Sequence, residues 1–135
     1  MKVELAFLCD AATESAGKLN ALGIGLDRLI VAELPQRHRR LTVVTRIAFD
    51  PEDAGDRKVA IELVGPDGAA VAGLVEANLH IQFGDPAQMT RANVIVELAN
   101  PEFHVAGPHE AKLSLDGAEL FALPLEVALR GAERQ

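Results

Sequence analysis

Nothing constrains this chain more than a period of two that keeps returning along it. From Val75 to Phe83, Val75, Ala77, Leu79, Ile81 and Phe83 alternate with Glu76, Asn78, His80 and Gln82. Strand side chains point to opposite faces in turn, so this pattern specifies a strand with one buried face. Other segments repeat it. Val3, Leu5, Phe7 and Cys9 are expected to face inward, as are Leu41, Val43, Ile47 and Phe49, then Val59, Ile61 and Leu63, then Val94, Val96 and Leu98. Turn signals separate them: the acidic run Asp50 to Asp56, Gly65-Pro66-Asp67-Gly68, Gly84-Asp85-Pro86 and Asn100-Pro101. Phe103, in the loop after Pro101, is expected to plug one end of the core. A last hairpin over Ala111 to Leu129 turns at Asp116-Gly117, a preferred tight-turn pair, and Pro124 in its second strand demands an edge or a bulge.

Segments of helical period, which would signal βαβ units, are missing from the sequence. About eight or nine short strands remain. The expected fold is all-β, an antiparallel two-sheet β-sandwich, because each alternating face must be buried against another sheet. A closed β-barrel shares the same periodicity and is the alternative. Residues 1–130 read as a single domain and 131–135 as a polar tail.

The stretch Gly17 to Pro35 breaks the pattern. It is almost wholly apolar, yet Leu19 lies on one parity, Leu22, Ile24 and Leu26 on the other, and Leu29 and Val31 on the first again. Each slip requires an extra residue or a bend. The expectation is one long strand that bends near Asp27 and Arg28 and passes between sheets, with Gly23 and Gly25 where a bulge or close approach forbids a Cβ. Ala11 to Ala16 reads as a loop or one helical turn.

Composition narrows the function classes. The 135 residues carry a net charge of −7 and lack Trp and Tyr. An acidic chain repels phosphate backbones and anionic membranes, and aromatic stacking platforms are scarce, so nucleic-acid and membrane partners are not expected. Cys9 is the single cysteine, which excludes an internal disulfide and thiolate zinc sites. The opening run is too short and too interrupted by Glu4 for a signal peptide, and a cytoplasmic protein is expected.

The opening strand ending in Cys9-Asp10, the passage from Gly17-Lys18-Leu19 to Leu34-Pro35, and the terminal Leu115-Asp116-Gly117 with Leu123-Pro124-Leu125-Glu126-Val127 together resemble a family of small bacterial all-β proteins of unknown function. The resemblance spans the chain and implies the fold. It implies no activity and no site residue.

Candidate chemistry is sparse. Gly23-x-Gly25 is followed by a strand, not by the helix of a dinucleotide fingerprint. Neither serine lies in a nucleophile elbow, and Cys9 faces a core. Arg37, His38, Arg39 and Arg40, with Arg46 nearby in sequence, form a basic tip suited to an anionic group or an acidic partner. Asp50, Asp53 and Asp56, beside Glu52, would supply oxygen ligands to Ca²⁺ if another acidic loop, at Asp116 or Asp85, came near. His104 and His109 are expected in one exposed loop. Val44 and Ala48 fall on an outward parity, as do Leu120 and Ala122; together they would make an apolar interface. The expected function is a non-catalytic protein-interaction or scaffold module without cofactor, docking an unknown protein through the basic tip or an apolar face, or pairing with itself as a two-fold dimer. The alternative is a small-ligand or Ca²⁺-binding sandwich that uses its end loops.

Overall fold

The computed structural model describes residues 1–84 and 90–131. Among them are twelve strands: β1 (Lys2–Cys9), β2 (Ala11–Ser15), β3 (Lys18–Leu22), β4 (Arg28–Val31), β5 (Gln36–Arg37), β6 (Arg40–Phe49), β7 (Gly55–Val64), β8 (Ala70–Ile81), β9 (Thr90–Ala99), β10 (Glu102–Phe103), β11 (Gly107–Leu115) and β12 (Ala118–Leu129). One 3-10 turn, Pro51–Asp53, links β6 to β7. A three-stranded sheet, β1-β6-β9, faces a five-stranded sheet, β4-β12-β11-β7-β8. The fold is therefore the expected β-sandwich and not a closed barrel. The extra strands are the short β5–β10 pair and the hairpin β2–β3.

The alternating faces meet as the sequence pattern requires. Leu41, Val43, Ile47 and Phe49 of β6 and Val94, Val96 and Leu98 of β9 share one core with Val59, Ile61 and Leu63 of β7, Leu113 and Leu115 of β11, and Leu125 and Val127 of β12. Phe103 is fully buried in it, as expected. Gly68, at φ 82°, donates its N–H to the Gly65 carbonyl and closes the expected β7–β8 turn. Asp116 and Gly117 both take positive φ between β11 and β12, the geometry that matches strand twist in a two-residue hairpin. Pro124 pairs with Glu110 on β11, and β4 reaches β12 only from Glu126 onward, so the missing donor faces an unpaired edge.

Several expectations fail for physical reasons. The pairing is not antiparallel throughout, because β4 runs parallel to β12. In β1 the register with β6 slips between Val3 and Leu5, and the slip turns Leu5 outward and brings Leu8 into the core. Gly17 to Pro35 is not one bent strand. β3 pairs back on β2, which is a strand and not a loop, and residues 23–27 then carry the chain to β4. Gly23 and Gly25 do take positive φ there. Val44 and Ala48 are buried completely, so they make no exposed patch, and they lie in the other sheet from Leu120 and Ala122. Leu120 is the unpaired residue of a bulge opposite Leu113 and Ser114 and packs on the core.

Candidate functional site

The basic tip is largely neutralised. Arg37 Nε lies 3.1 Å from Glu102 and its Nη1 donates to the Asn100 carbonyl at 3.3 Å. Arg40 pairs with Glu97 at 3.5 Å. The His38 N–H donates to the Pro101 carbonyl. Arg39 is exposed and forms no ion pair among the described residues. Arg46 does not join this group: it is six residues along β6, about 20 Å at strand rise, and binds Glu4.

The acidic turn is divided. Asp50 and Asp53 both accept from the Met1 amino group, at 2.7 and 3.4 Å, and the Asp50 N–H donates to Asp53 Oδ2. That backbone N–H, together with the Met1 ammonium, holds the Asp53 carboxyl below the usual carboxylate range. Asp56 turns instead to His80, 2.6 Å away on β8. Asp116 accepts from the Lys58 N–H and from Arg57, which lower its pKa in that order. Asp85 lies outside the described residues. Among the described residues, no three His, Cys, Asp or Glu side chains gather in a way that would hold a metal ion.

The β2–β3 hairpin lies against the outer face of the small sheet, where β2 contacts β6 and β9. Polar ties fix it at both ends. The Asp10 N–H donates to the Leu22 carbonyl, and the Gly25 and Leu26 N–H groups donate to the Leu8 carbonyl. At the β2–β3 turn, Arg46 Nη1 and Asn93 Nδ2 both donate to the Gly17 carbonyl at 3.1 Å. Glu4 fixes Arg46 in turn, and accepts from Arg91 at 2.8 Å; the Arg91 bond is the larger cause of its depressed pKa. Thr42 and Val44 are buried beneath this layer. Its far end projects Leu22 and Ile24, 72% and 62% exposed, the two most exposed large apolar side chains among the described residues. The glycines that flank Ile24 were the signal that the chain turns there. Beside Leu22 a shallow groove is lined by Ala11, Ala12 and Ala21.

A second arrangement lies at the opposite end of chemistry, around His109. This residue is not in an exposed loop. It occupies β11, 1% exposed, with its ring edge-on to Phe103 at 5.2 Å between centroids. Nδ1 lies 2.9 Å from the Gly107 carbonyl, which can only accept, so Nδ1 carries a proton. Nε2 is buried and has no hydrogen-bond partner among the described residues. Above it is a cavity of about 210 Å³ lined by Gly65, Asp67, Val71, His104 and Val105 among others. The sequence held this signal: His109 shares parity with Ala111, Leu113 and Leu115, so starting the strand two residues earlier turns it inward.

The layered sheets and their capping hairpin define an all-β sandwich domain. The chain belongs to the family of unknown function DUF6941, whose model matches residues 4–128. Among solved structures, it is similar to a β-glucosidase from Listeria innocua, crystallised in complex with isofagomine, at 13% identity and a TM-score of 0.53. That likeness covers 93% of this chain but only 16% of the glucosidase chain, and it concerns the fold alone. No curated protein matches the chain. No helix among the described residues is long and apolar enough to cross a membrane.

Proposed function

We propose that this domain is a non-catalytic protein-interaction module that docks a different protein through the β2–β3 hairpin. The observation that carries the reading is the exposure of Leu22 and Ile24 on an element tied down from both ends. A side chain of this size contributes about 1.5–3 kcal/mol when it passes from water into an apolar contact. The hairpin is already ordered by its backbone ties, so docking spends little on ordering it. Arg39 adds an exposed cation, without an ion pair among the described residues, elsewhere on the surface, at the tip where Arg37 and Arg40 are held by carboxylates. The setting we propose is the cytoplasm, consistent with a free buried thiol at Cys9.

The test compares wild type with L22D/I24D and with R37E/R39E/R40E as immobilised baits in extract of the native host. A bound protein that survives washing on wild type, is lost from L22D/I24D and is kept by the arginine variant supports hairpin docking. Equal retention on all three baits overturns it. Loss only from the arginine variant moves the site to the tip. Light scattering accompanies the comparison: a wild-type dimer that L22D/I24D separates into monomers would overturn the heterologous partner and assign the face to self-association.

A further inference from the structure

We infer that the free edge of β8 pairs with the same edge of a second copy, joining the two large sheets into one across a two-fold axis. β8 ends its sheet: β7 holds one side of it, and no strand among the described residues hydrogen-bonds to the other. Alternate residues of such a strand turn their N–H and C=O groups away from the sheet, which makes a template for another strand. Edges are normally guarded by bulges, proline or inward-pointing charge. Here the guard covers one half only. The register with β7 slips twice between Ala70 and Val75, then runs unbroken from Val75 opposite Ile61 to Ile81 opposite Gly55. That regular half holds no proline, and Glu76, Asn78 and His80 all lie on its exposed face.

The segment is complementary to itself. Antiparallel pairing centred on Asn78 overlaps the whole regular half and sets Glu76 opposite His80 of the other copy, twice over, with Asn78 facing Asn78. His80 is already turned for this. Its Nδ1 lies 2.6 Å from Asp56, the residue opposite it on β7, and the two ring nitrogens point nearly opposite ways, so Nε2 faces the free edge. Glu76 is held from the β7 side by Lys58. Each new contact therefore completes a row of alternating charge: Asp56 and His80 of one copy, then Glu76 and Lys58 of the other. Asp56 accepts the Nδ1 proton, so a ring that also donates from Nε2 to Glu76 is charged, and pairing takes up a proton at each His80. On the inner face Val75, Ala77 and Leu79 are only half-buried, whereas Val59 and Ile61 beside them on β7 are fully buried. Pairing sets Ala77 against Leu79 of the other copy and carries the core across the junction. The edge of the small sheet lacks this fit, because on β9 Arg91, Asn93 and Glu97 are engaged by Glu4, Gly17 and Arg40.

Sedimentation velocity on the full chain over a concentration series measures the pairing. Wild type should dimerise about tenfold more tightly at roughly pH 6 than pH 8, a window in which ordinary carboxylates stay ionised. H80Q should lose this pH dependence. Charge reversal supplies the sharper comparison. H80E sets two carboxylates opposite each other and E76K sets two cations opposite each other, so each alone should remain monomeric while circular dichroism shows it folded. Mixed in equal amounts, H80E and E76K should form a heterodimer, because both rows then join a carboxylate to a cation. L22D/I24D should dimerise like wild type, so the outcome is independent of docking through the hairpin. The inference is overturned if wild type stays monomeric at the lower pH, if H80Q keeps the pH dependence, if H80E and E76K fail to complement each other, or if L22D/I24D separates the dimer.

Discussion

Gly23 stands where β3 releases the chain toward β4, immediately between Leu22 and Ile24, and Gly23→Ala separates two effects that usually arrive together. The first is conformational. Gly23 has φ 71°, and a residue with a Cβ in that region costs about 1–2 kcal/mol. The second is steric. An ideal Cβ at this position would lie 2.2 Å from Asp10 Oδ2 and 2.7 Å from Asp10 Cγ, so one of the two must move. Asp10 is exposed and its carboxylate makes no hydrogen bond or ion pair among the described residues. Turning that side chain away costs about 0.5–1.5 kcal/mol if it must leave its rotamer well, and less if another well is open. The conformational effect should therefore dominate, and G23A should lose about 2 kcal/mol in total.

Urea denaturation of four proteins measures this: wild type, G23A, D10A and G23A/D10A. Removing the Asp10 carboxylate should return only the steric part, so G23A should still cost about 1–2 kcal/mol in the D10A background. In a thermal scan the single change should lower Tm by roughly 4–10 °C for a domain of this size. Complete rescue by D10A would show that contact, not backbone conformation, dictates glycine here. A loss below about 0.5 kcal/mol would show that the turn adapts, and with it that Leu22 and Ile24 are not held in a fixed presentation.

Three other outcomes follow from the same structure. Glu4, Asp53 and Asp116 have depressed pKa values, so the stability they contribute is complete above the unfolded carboxylate pKa, near 4, and is lost as pH falls through their lower folded values. Wild type should be insensitive to pH between about 6 and 8 on their account and lose stability in the acid, and E4Q/D116N should show a shallower acid slope in urea titrations; equal slopes would refute the assignment. Burial, and then the Asp10 charge, push the Cys9 thiol up, so a disulfide reagent should label it only as fast as the protein unfolds, and rapid native labelling would contradict its place beneath the hairpin. Phe103→Ala should cost about 3–5 kcal/mol by calorimetry or denaturation, since the ring is wholly buried and supports His109; a loss under about 1 kcal/mol would mean that Phe103 does not close the core.

Periodicity made the sandwich legible because inward residues recur on one parity in β6, β7, β9, β11 and β12, and a one-residue slip would expose them all. It misplaced what bulges decide. Leu5 and Leu8 exchange faces because β1 slips against β6, and no residue type marks that slip in the sequence. The candidate site was less legible for a different reason. Arg37 and Arg40 read as a cationic cluster because their carboxylate partners, Glu102 and Glu97, come from β10 and β9, some sixty residues away in the chain. Asp50, Asp53 and Asp56 are close in sequence, yet the strand that begins at Gly55 carries Asp56 to His80 while Asp50 and Asp53 stay with Met1.

A two-faced account of a sheet also has no place for a third layer, and that is where Val44 and the hairpin belong. Apolar residues on the outward parity of β6 correctly indicate that something covers this face. The cover is the chain's own β2–β3 hairpin, sealed by Thr42 Oγ1 donating to the Asp10 carbonyl and by Arg46 and Asn93 donating to Gly17. Covering one apolar face with a thin two-stranded layer exposes the outer side of that layer. Leu22 and Ile24 sit at its far end, next to the turn that returns the chain to the large sheet at β4. The apolar surface inferred from Val44 and Ala48 is thus displaced outward by one layer. A partner docked on Leu22 and Ile24 would stand to the hairpin as the hairpin stands to β6.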